Sequence, residues 1–420
     1  MEKESMQKNQ RRVVGILIMT FMIFGITLIP TPAMGNTMNV SDADIKWTEG
    51  IKGGAIYFDK GEGTITGCDI TVTEAVIPES IEGTLISAIS ERAFSDCVNL
   101  TKVSIPSGVE KMGHMPFENC ENLENIIVSE ANDYYSVLDN VLFNKNQTTL
   151  IKYSSGNQRN DYLIPNTVTD ISAYAFYKSK HLKNVTIPAA TYLINQCAFS
   201  ACSSLENIKV DVENIRFSEE NGVLFNADKT QLIQYPAARK DKEYSILSNV
   251  KYVWGGAFYS CKYLEKISIP ASIINIGDEW GFGEFVGCQS LNTIEVDKAN
   301  TEFASKDGVL MLKDEGSIIC YPANKLNVEY TIFDNVTFIA PFAFKGNKNI
   351  VSLTLPETVT EIQNAAFSQC ESLEKIIIPS TVVNIVDNAF EKCDAVTIYG
   401  KSQSYAETYA ANNNIPFVVI

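Results

Sequence analysis

Apolar and polar positions follow one short phrase, written nine times between residues 76 and 398. Its mark is a phenylalanine preceded by a small residue and usually followed three places later by cysteine. The clear copies are Ala93-Phe94 with Cys97, Ala198-Phe199 with Cys202, Ala257-Phe258 with Cys261, Ala366-Phe367 with Cys370 and Ala389-Phe390 with Cys393. Looser copies stand at Phe117, Phe176, Phe285 and Phe344. The nine phenylalanines lie 23, 59, 23, 59, 27, 59, 23 and 23 residues apart, so each 59 is a 23-residue unit carrying an insert of 36. A fixed period of this size marks a repeat architecture.

Inside the unit a leucine is followed by an apolar residue three places on and another two after that: Leu100, Val103, Ile105; Leu205, Ile208, Val210; Leu373, Ile376, Ile378. The last two alternate with polar neighbours, as a half-buried strand does. Pro106, Pro165, Pro188, Pro270, Pro356 and Pro379 close that strand, where a missing N–H is tolerated. An apolar pair such as Val359 and Ile362 then leads to the turn that carries the phenylalanine. No unit can bury this stripe alone. Coils stacked into a parallel sheet make it a continuous core, so the pattern predicts a right-handed repeat solenoid, β-rich with short helical or 3-10 turns. About a dozen coils at about 4.8 Å each give a rod or horseshoe roughly 60 Å along the sheet.

The inserts fall near 129–163, 211–245 and 297–331 and align on Val141-Leu142-Phe143, Val223-Leu224-Phe225 and Val309-Leu310-Met311. Twelve residues after each valine comes Tyr153, Tyr235 or Tyr321, and a further tyrosine recurs at Tyr162, Tyr244 and Tyr330. The larger unit thus repeats at 82 and then 86 residues. Asn221-Gly222 and Asp307-Gly308 favour tight turns, so each insert reads as a hairpin.

The first 35 residues stand outside this pattern. Lys3, Lys8, Arg11 and Arg12 precede an uncharged apolar run from Val13 to Ile29, and Ala33-Met34-Gly35 sets small residues at a cleavage site. This reads as a secretory signal peptide with a mature start at Asn36, and places the protein outside the cell, secreted or at the cell surface. An uncleaved membrane anchor is the alternative. The net charge of −16 repels phosphate backbones and argues against nucleic acid as a partner.

Catalytic chemistry lacks material. Only two histidines occur, His114 and His181, both at ordinary repeat positions, and there is no phosphate loop, serine elbow, HExxH or paired CxxC. No cofactor and no EF-hand calcium loop are indicated. A carboxylate pair acting as a hydrolase is the weakest alternative, since nothing singles out two acids among fifty.

The run of leucine, two isoleucine-type positions, proline, valine, isoleucine, alanine-phenylalanine and cysteine resembles the BspA-type leucine-rich repeat of bacterial surface and secreted proteins, over roughly residues 51–420. Residues 36–75, with Tyr57 to Asp69 as their core, resemble that family's N-terminal cap. Thr397-Ile398-Tyr399-Gly400, Ser404-Tyr405-Ala406-Glu407-Thr408-Tyr409-Ala410 and Ile415-Pro416-Phe417 resemble its C-terminal helix-and-strand cap, over 399–420. The resemblance implies a non-catalytic scaffold that binds an extracellular protein or glycan, possible work being adhesion to host matrix or to other cells. A structural envelope component without a specific ligand is the alternative. The family's binding residues follow no motif, and the sequence is silent on oligomeric state.

Seven cysteines (97, 120, 202, 261, 288, 370, 393) share one repeat position, where Ser179 and Asn347 stand in the other two copies. Exchange with serine and asparagine fits a small buried thiol in a tight turn. The rival is bonding between neighbouring coils: Cys97 with Cys120, Cys261 with Cys288, Cys370 with Cys393. Cys320 replaces Lys152 and Gln234 of the sister inserts and is a candidate exposed, reactive thiol.

The residues between the buried strand positions, Lys102 and Ser104 through Lys375 and Ile377, are mixed and mostly polar and should line the concave face. The 27-residue unit breaks the rule by inserting Gly277-Asp278-Glu279-Trp280-Gly281-Phe282-Gly283-Glu284 before Phe285. Trp254 sits four residues before Phe258, on the same side of the preceding coil. Trp254, Trp280 and Phe282, rimmed by Asp278, Glu279 and Glu284, are the candidate ligand patch.

Overall fold

The computed structural model describes residues 41, 44–277, 283–313 and 316–420. The signal segment 1–35 lies outside the described residues. Residues 44–420 build a β-solenoid of about 15 turns, more than the dozen coils expected because caps and inserts also contribute turns.

Each coil lays down two strands. The longer one follows the leucine, as at Lys102–Ile105, Asn184–Ile187, Lys266–Ile269 and Ser352–Thr354, and pairs in parallel with its counterpart in the next coil. Val185 sits opposite Ile208 and Leu353 opposite Ile376, so identical repeat positions stack in register. The second strand, after the proline, has only two residues, as at Asp170–Ile171, Leu193–Ile194, Glu361–Ile362 and Asn384–Ile385, and forms its own parallel ladder. Only its apolar member was visible in the sequence, because two residues carry no alternation.

The predicted helical or 3-10 turns are hydrogen-bonded turns of another kind. At eight of the nine phenylalanines the residues two before and two after have positive φ, as with Arg92 (φ 56°) and Asp96 (60°) around Phe94, Met115 (50°) and Asn119 (56°) around Phe117, Cys197 (54°) and Ala201 (58°) around Phe199, while Phe390 has only Lys392 (60°). A left-handed residue on each side halts a right-handed helix before it can start. Among the described residues one α-helix is present, Tyr405–Asn412.

The core is a set of aromatic stacks running along the axis. Phe94 stacks on Phe117 at 5.5 Å, Tyr153 on Phe176 and Phe199, Tyr235 on Phe258 and Phe285, and Tyr321 on Phe344, Phe367 and Phe390, with adjacent rings in these three stacks 4.8–5.7 Å apart. The insert tyrosines therefore occupy the phenylalanine position and head each new stack. Four buried clusters result.

The inserts are three-stranded antiparallel meanders rather than simple hairpins: Phe217–Glu220, Val223–Asn226 and Gln231–Gln234 in the second, the last pairing in parallel with Tyr252–Val253. They interrupt the longer-strand sheet, and the meander tip takes the place of the missing strand: Ile208 N–H donates to Gly222 O and Ile294 N–H to Gly308 O, both at 3.0 Å. One asparagine anchors each insert, buried in the first and third and half-buried in the second. Asn132, Asn214 and Asn300 donate through Nδ2 to Pro106 O and Val109 O, Pro188 O and Thr191 O, and Pro270 O and Ile273 O, at 2.8–3.0 Å. Their Oδ1 atoms accept from two backbone N–H groups of the following turn at 2.7–2.9 Å. A basic side chain then ties down each tip: Arg159 pairs with Asp139 through two 2.8 Å bonds, while Arg239 and Lys325 donate to Asn221 O and Asp307 O.

The recurrent cysteine has a specific task. Cys120, Cys202, Cys288, Cys370 and Cys393 donate Sγ–H to the carbonyl of a phenylalanine in the preceding coil (Phe94, Phe176, Phe258, Phe344, Phe367) at 2.9–3.1 Å. At the same position Asn347 Nδ2 reaches Pro322 O and Ala323 O. Six of the seven ladder cysteines are free and buried. The seventh is a correction: Cys97 is disulfide-bonded to Cys68, in the strand Thr64–Cys68, and not to Cys120. Cys68 has no repeat counterpart, so the ladder pattern gave it no weight.

At the C-terminal end Ser404 caps the helix by accepting from Glu407 N–H at 3.3 Å, and Ala406, Tyr409 and Ala410 turn inward. Tyr409 covers Phe390 at 6.0 Å. Strand Phe417–Val419 adds in parallel to Thr397–Gly400. At the other end Ile45–Trp47, Ile56–Asp59 and Thr64–Cys68 form an antiparallel meander over the first coil.

Candidate binding surfaces

Of the proposed aromatic patch, Asp278, Glu279, Trp280 and Phe282 lie outside the described residues. The two described members do not form an exposed site. Trp254 is half-buried against the core, and its Nε1–H donates to Gln231 Oε1 at 3.1 Å. Glu284 is 7% exposed, and its Oε2 accepts from Gly256 N–H at 2.7 Å. The carboxylate therefore binds one coil to the next instead of rimming a patch, because Gly256 in left-handed conformation (φ 75°) turns its N–H toward it.

Cys320 is not an exposed thiol. It packs half-buried against the core cluster of Tyr235 and Phe258, and burial pushes its pKa up, which holds the sulfur protonated. At the end of the strand Ser317–Cys320 it lies in a cleft with Glu284, Phe285 and Phe342, at the phenylalanine turns of neighbouring coils. The sister residues show the same inward position. Gln234 donates to Tyr235 O at 2.9 Å and Ala257 O at 3.0 Å, and Lys152 is 5% exposed with its amine lowered to about 8 by burial. Alternation along a strand identifies this position as outward only if the outer side is solvent, and here the next coil covers it.

Cys320, Glu284, Val286, Ile319, Phe342 and Lys345 line a narrow cleft with a free volume of about 10 Å³. That holds one water molecule and falls far short of the few hundred Å³ that a small-molecule site encloses. Burial lowers the Lys345 amine, which lies 5.0 Å above the Phe342 ring. Among the described residues no group of three or more histidine, cysteine or acidic side chains is placed to hold a metal. No helix there is long and apolar enough to cross a membrane.

The longer-strand face behaves as its pattern predicts. Lys102, Ser104, Asn184, Thr186, Lys266 and Ser268 point outward while Val103, Val185 and Ile267 are buried. Register converts these residues into ladders that spacing alone did not reveal. Asn207 Nδ2 donates to Asn184 Oδ1 at 3.1 Å, and Asn184 Nδ2 to Asp161 Oδ1 at 2.6 Å. Lys266 pairs with Glu295 at 2.8 Å, and Lys375 sits 5.0 Å over the Tyr399 ring. The signal was present in the 23-residue offsets of 161, 184 and 207, which only a known register makes into neighbours.

The model of the BspA-type leucine-rich repeat region matches in six copies over residues 67–161, 153–238, 240–306 and 320–414. A leucine-rich cell surface protein from Faecalibacterium prausnitzii is 22% identical over 88% of this chain and 98% of its own, with a TM-score of 0.39. A leucine-rich repeat protein from Eubacterium ventriosum is 22% identical over 85% and 84%, TM-score 0.41. The pneumococcal vaccine antigen PcpA is 20% identical over 83% and 79%, TM-score 0.40. No curated protein matches. At these scores the solved structures add no weight beyond the repeat itself, and the assignment rests on the family model and on the stacked phenylalanine, cysteine and proline positions. By that measure the chain belongs to the BspA-type leucine-rich repeat family.

Proposed function

We propose that this protein is an exported, non-catalytic scaffold that binds an extracellular protein or glycan, in keeping with adhesion to host matrix or to other cells. The supporting observation is the ordered outward ladder of the longer-strand face, from Lys102 to Thr354, held rigid by a core of stacked rings. A polar, pre-ordered surface suits a macromolecule, whereas the 10 Å³ cleft suits no substrate. The basic-then-apolar segment 1–35 supports export, and residence in the medium or at the cell surface follows from it.

The test is a binding screen of residues 36–420 against immobilised matrix proteins and glycans, beside a Trp280→Ala variant checked for unchanged melting. A hit in both chains supports the scaffold reading with a site on the ladders or another turn. A hit lost in the variant places the site on residues 277–284. Silence from both shifts the reading to a structural envelope component.

A further inference from the structure

The second insert departs from its sisters at one turn. Two before and one after the anchoring asparagine, the first insert has Glu130 and Asp133 and the third has Lys298 and Thr301, but the second has Val212 and Ile215. These are the two most exposed large hydrophobic side chains described, Val212 at 99% and Ile215 at 81%. Beside them Arg216 lays its guanidinium 4.3 Å over the ring of Tyr192, which is itself 58% exposed. Tyr134 and Glu302 hold the corresponding position in the sisters. Among the described residues no ion pair or side-chain hydrogen bond engages the Arg216 guanidinium.

The fold does not require these residues, because the sister inserts make the same asparagine-anchored turn with polar ones. Nor is the turn loose. Asn214 fixes it from both sides, and Asp211 adds two bonds of 2.9 Å, accepting from Glu213 N–H at its carboxylate and from Asn214 N–H at its carbonyl. The result is a pre-ordered projection with two aliphatic side chains at its tip and an unpaired cation on an aromatic ring, on a chain of net charge −16. Such a surface gains by covering its aliphatic groups and by supplying the missing anion.

We propose that Val212, Ile215, Arg216 and Tyr192 form a docking surface for a protein partner that presents an apolar side chain beside a carboxylate. This rests on the reading of the molecule as a binding scaffold and adds the place and the chemistry. An acidic glycan would engage Arg216 and the tyrosine ring but would leave the two aliphatic side chains uncovered, so a protein is the better fit.

The experiment pans the full chain against a phage-displayed library of random 12-residue peptides, with hyaluronan as a carboxylated glycan probe. Two variants borrow the sisters' residues, Val212→Glu/Ile215→Asp from the first insert and Val212→Lys/Ile215→Thr from the third, so that folding is not at issue. Arg216→Ala is the third. Expected are peptides pairing an aliphatic or aromatic residue with Asp or Glu within two positions. They should bind wild type and weaken at least tenfold in both double variants and at least threefold in Arg216→Ala. Peptides that bind all chains alike, or no enrichment, overturn this surface and leave the matrix screen to decide the scaffold reading. Hyaluronan binding that is lost in Arg216→Ala but intact in the double variants also overturns it, in favour of a glycan site.

Discussion

Replacing Asn300 with leucine, its near-isostere, tests what holds an insert in the solenoid. The side chain is 1% exposed and makes four bonds: Nδ2 to Pro270 O (2.9 Å) and Ile273 O (2.8 Å), and Oδ1 from Glu302 N–H (2.9 Å) and Phe303 N–H (2.7 Å). Leucine fills the volume but leaves Ile273 O and two N–H groups without partners, while Pro270 O keeps its bond from Ile273 N–H. Each buried orphan costs about 1–3 kcal/mol. Glu302 N–H can recover a water at the surface, so the two uncompensated groups, Ile273 O and Phe303 N–H, give a loss of about 2–6 kcal/mol. Asn300→Asp keeps both acceptors and sets an anion against two carbonyls, so it should be milder at pH 4 than at pH 7, where the carboxyl is ionised. Hydrogen exchange by mass spectrometry is the suitable assay, because a repeat array need not unfold in one step. Exchange in residues 297–331 and 270–276 should rise by two orders of magnitude or more, while residues 100–130 remain protected. A leucine variant within 1 kcal/mol of wild type in urea, with unchanged exchange, would refute the asparagine's role as anchor.

Other outcomes follow from single side chains. Lys152→Gln should stabilise the fold at pH 7. The native amine is lowered to about 8 from 10.5, so folding forces a charged lysine into the core below pH 8, a cost of about 3 kcal/mol. That cost is relieved as pH rises from 8 toward 10.5, where the unfolded chain binds the extra proton. The advantage of the variant in paired urea titrations should shrink across that window, and a constant difference would contradict it. Gly256→Ala brings a Cβ within 2.5 Å of Ser200 Oγ and 3.1 Å of Cys197 Sγ, and its melting point should fall by several degrees and be partly restored by Ser200→Ala. Reducing Cys68–Cys97, which closes a separation of 29 residues, should cost about 3 kcal/mol confined to the N-terminal end, seen as faster exchange in residues 45–105 alone.

The solenoid was legible because its signal is redundant: nine phenylalanines, six closing prolines and seven cysteines all report the same register. Strands of four residues also show alternation, and Val103 and Ile105 turned inward as the pattern required. Features that depend on backbone sign or on neighbours across coils were hidden. The left-handed positions around the phenylalanines are filled by Arg92, Met115, Tyr174 and Ala365 as readily as by Gly256 or Gly346, so residue type did not mark them. Asn132, Asn214 and Asn300 repeat at 82 and 86 residues and could have been found, but a polar residue in an insert reads as surface until its partners are known. Cys320 failed for the opposite reason. Strand alternation places it outside, but the outside of that strand is the next coil.

The breaks in the longer-strand sheet have a mechanical consequence. Each tyrosine-headed stack begins behind its own antiparallel meander and carries its own buried cluster, so the array is jointed rather than continuous. Pulled from its ends, such a chain should yield one joint at a time. An 82-residue module pays out roughly 280 Å of chain at about 3.4 Å per residue. Modules still folded would keep their surfaces in working order while the released length absorbs the load.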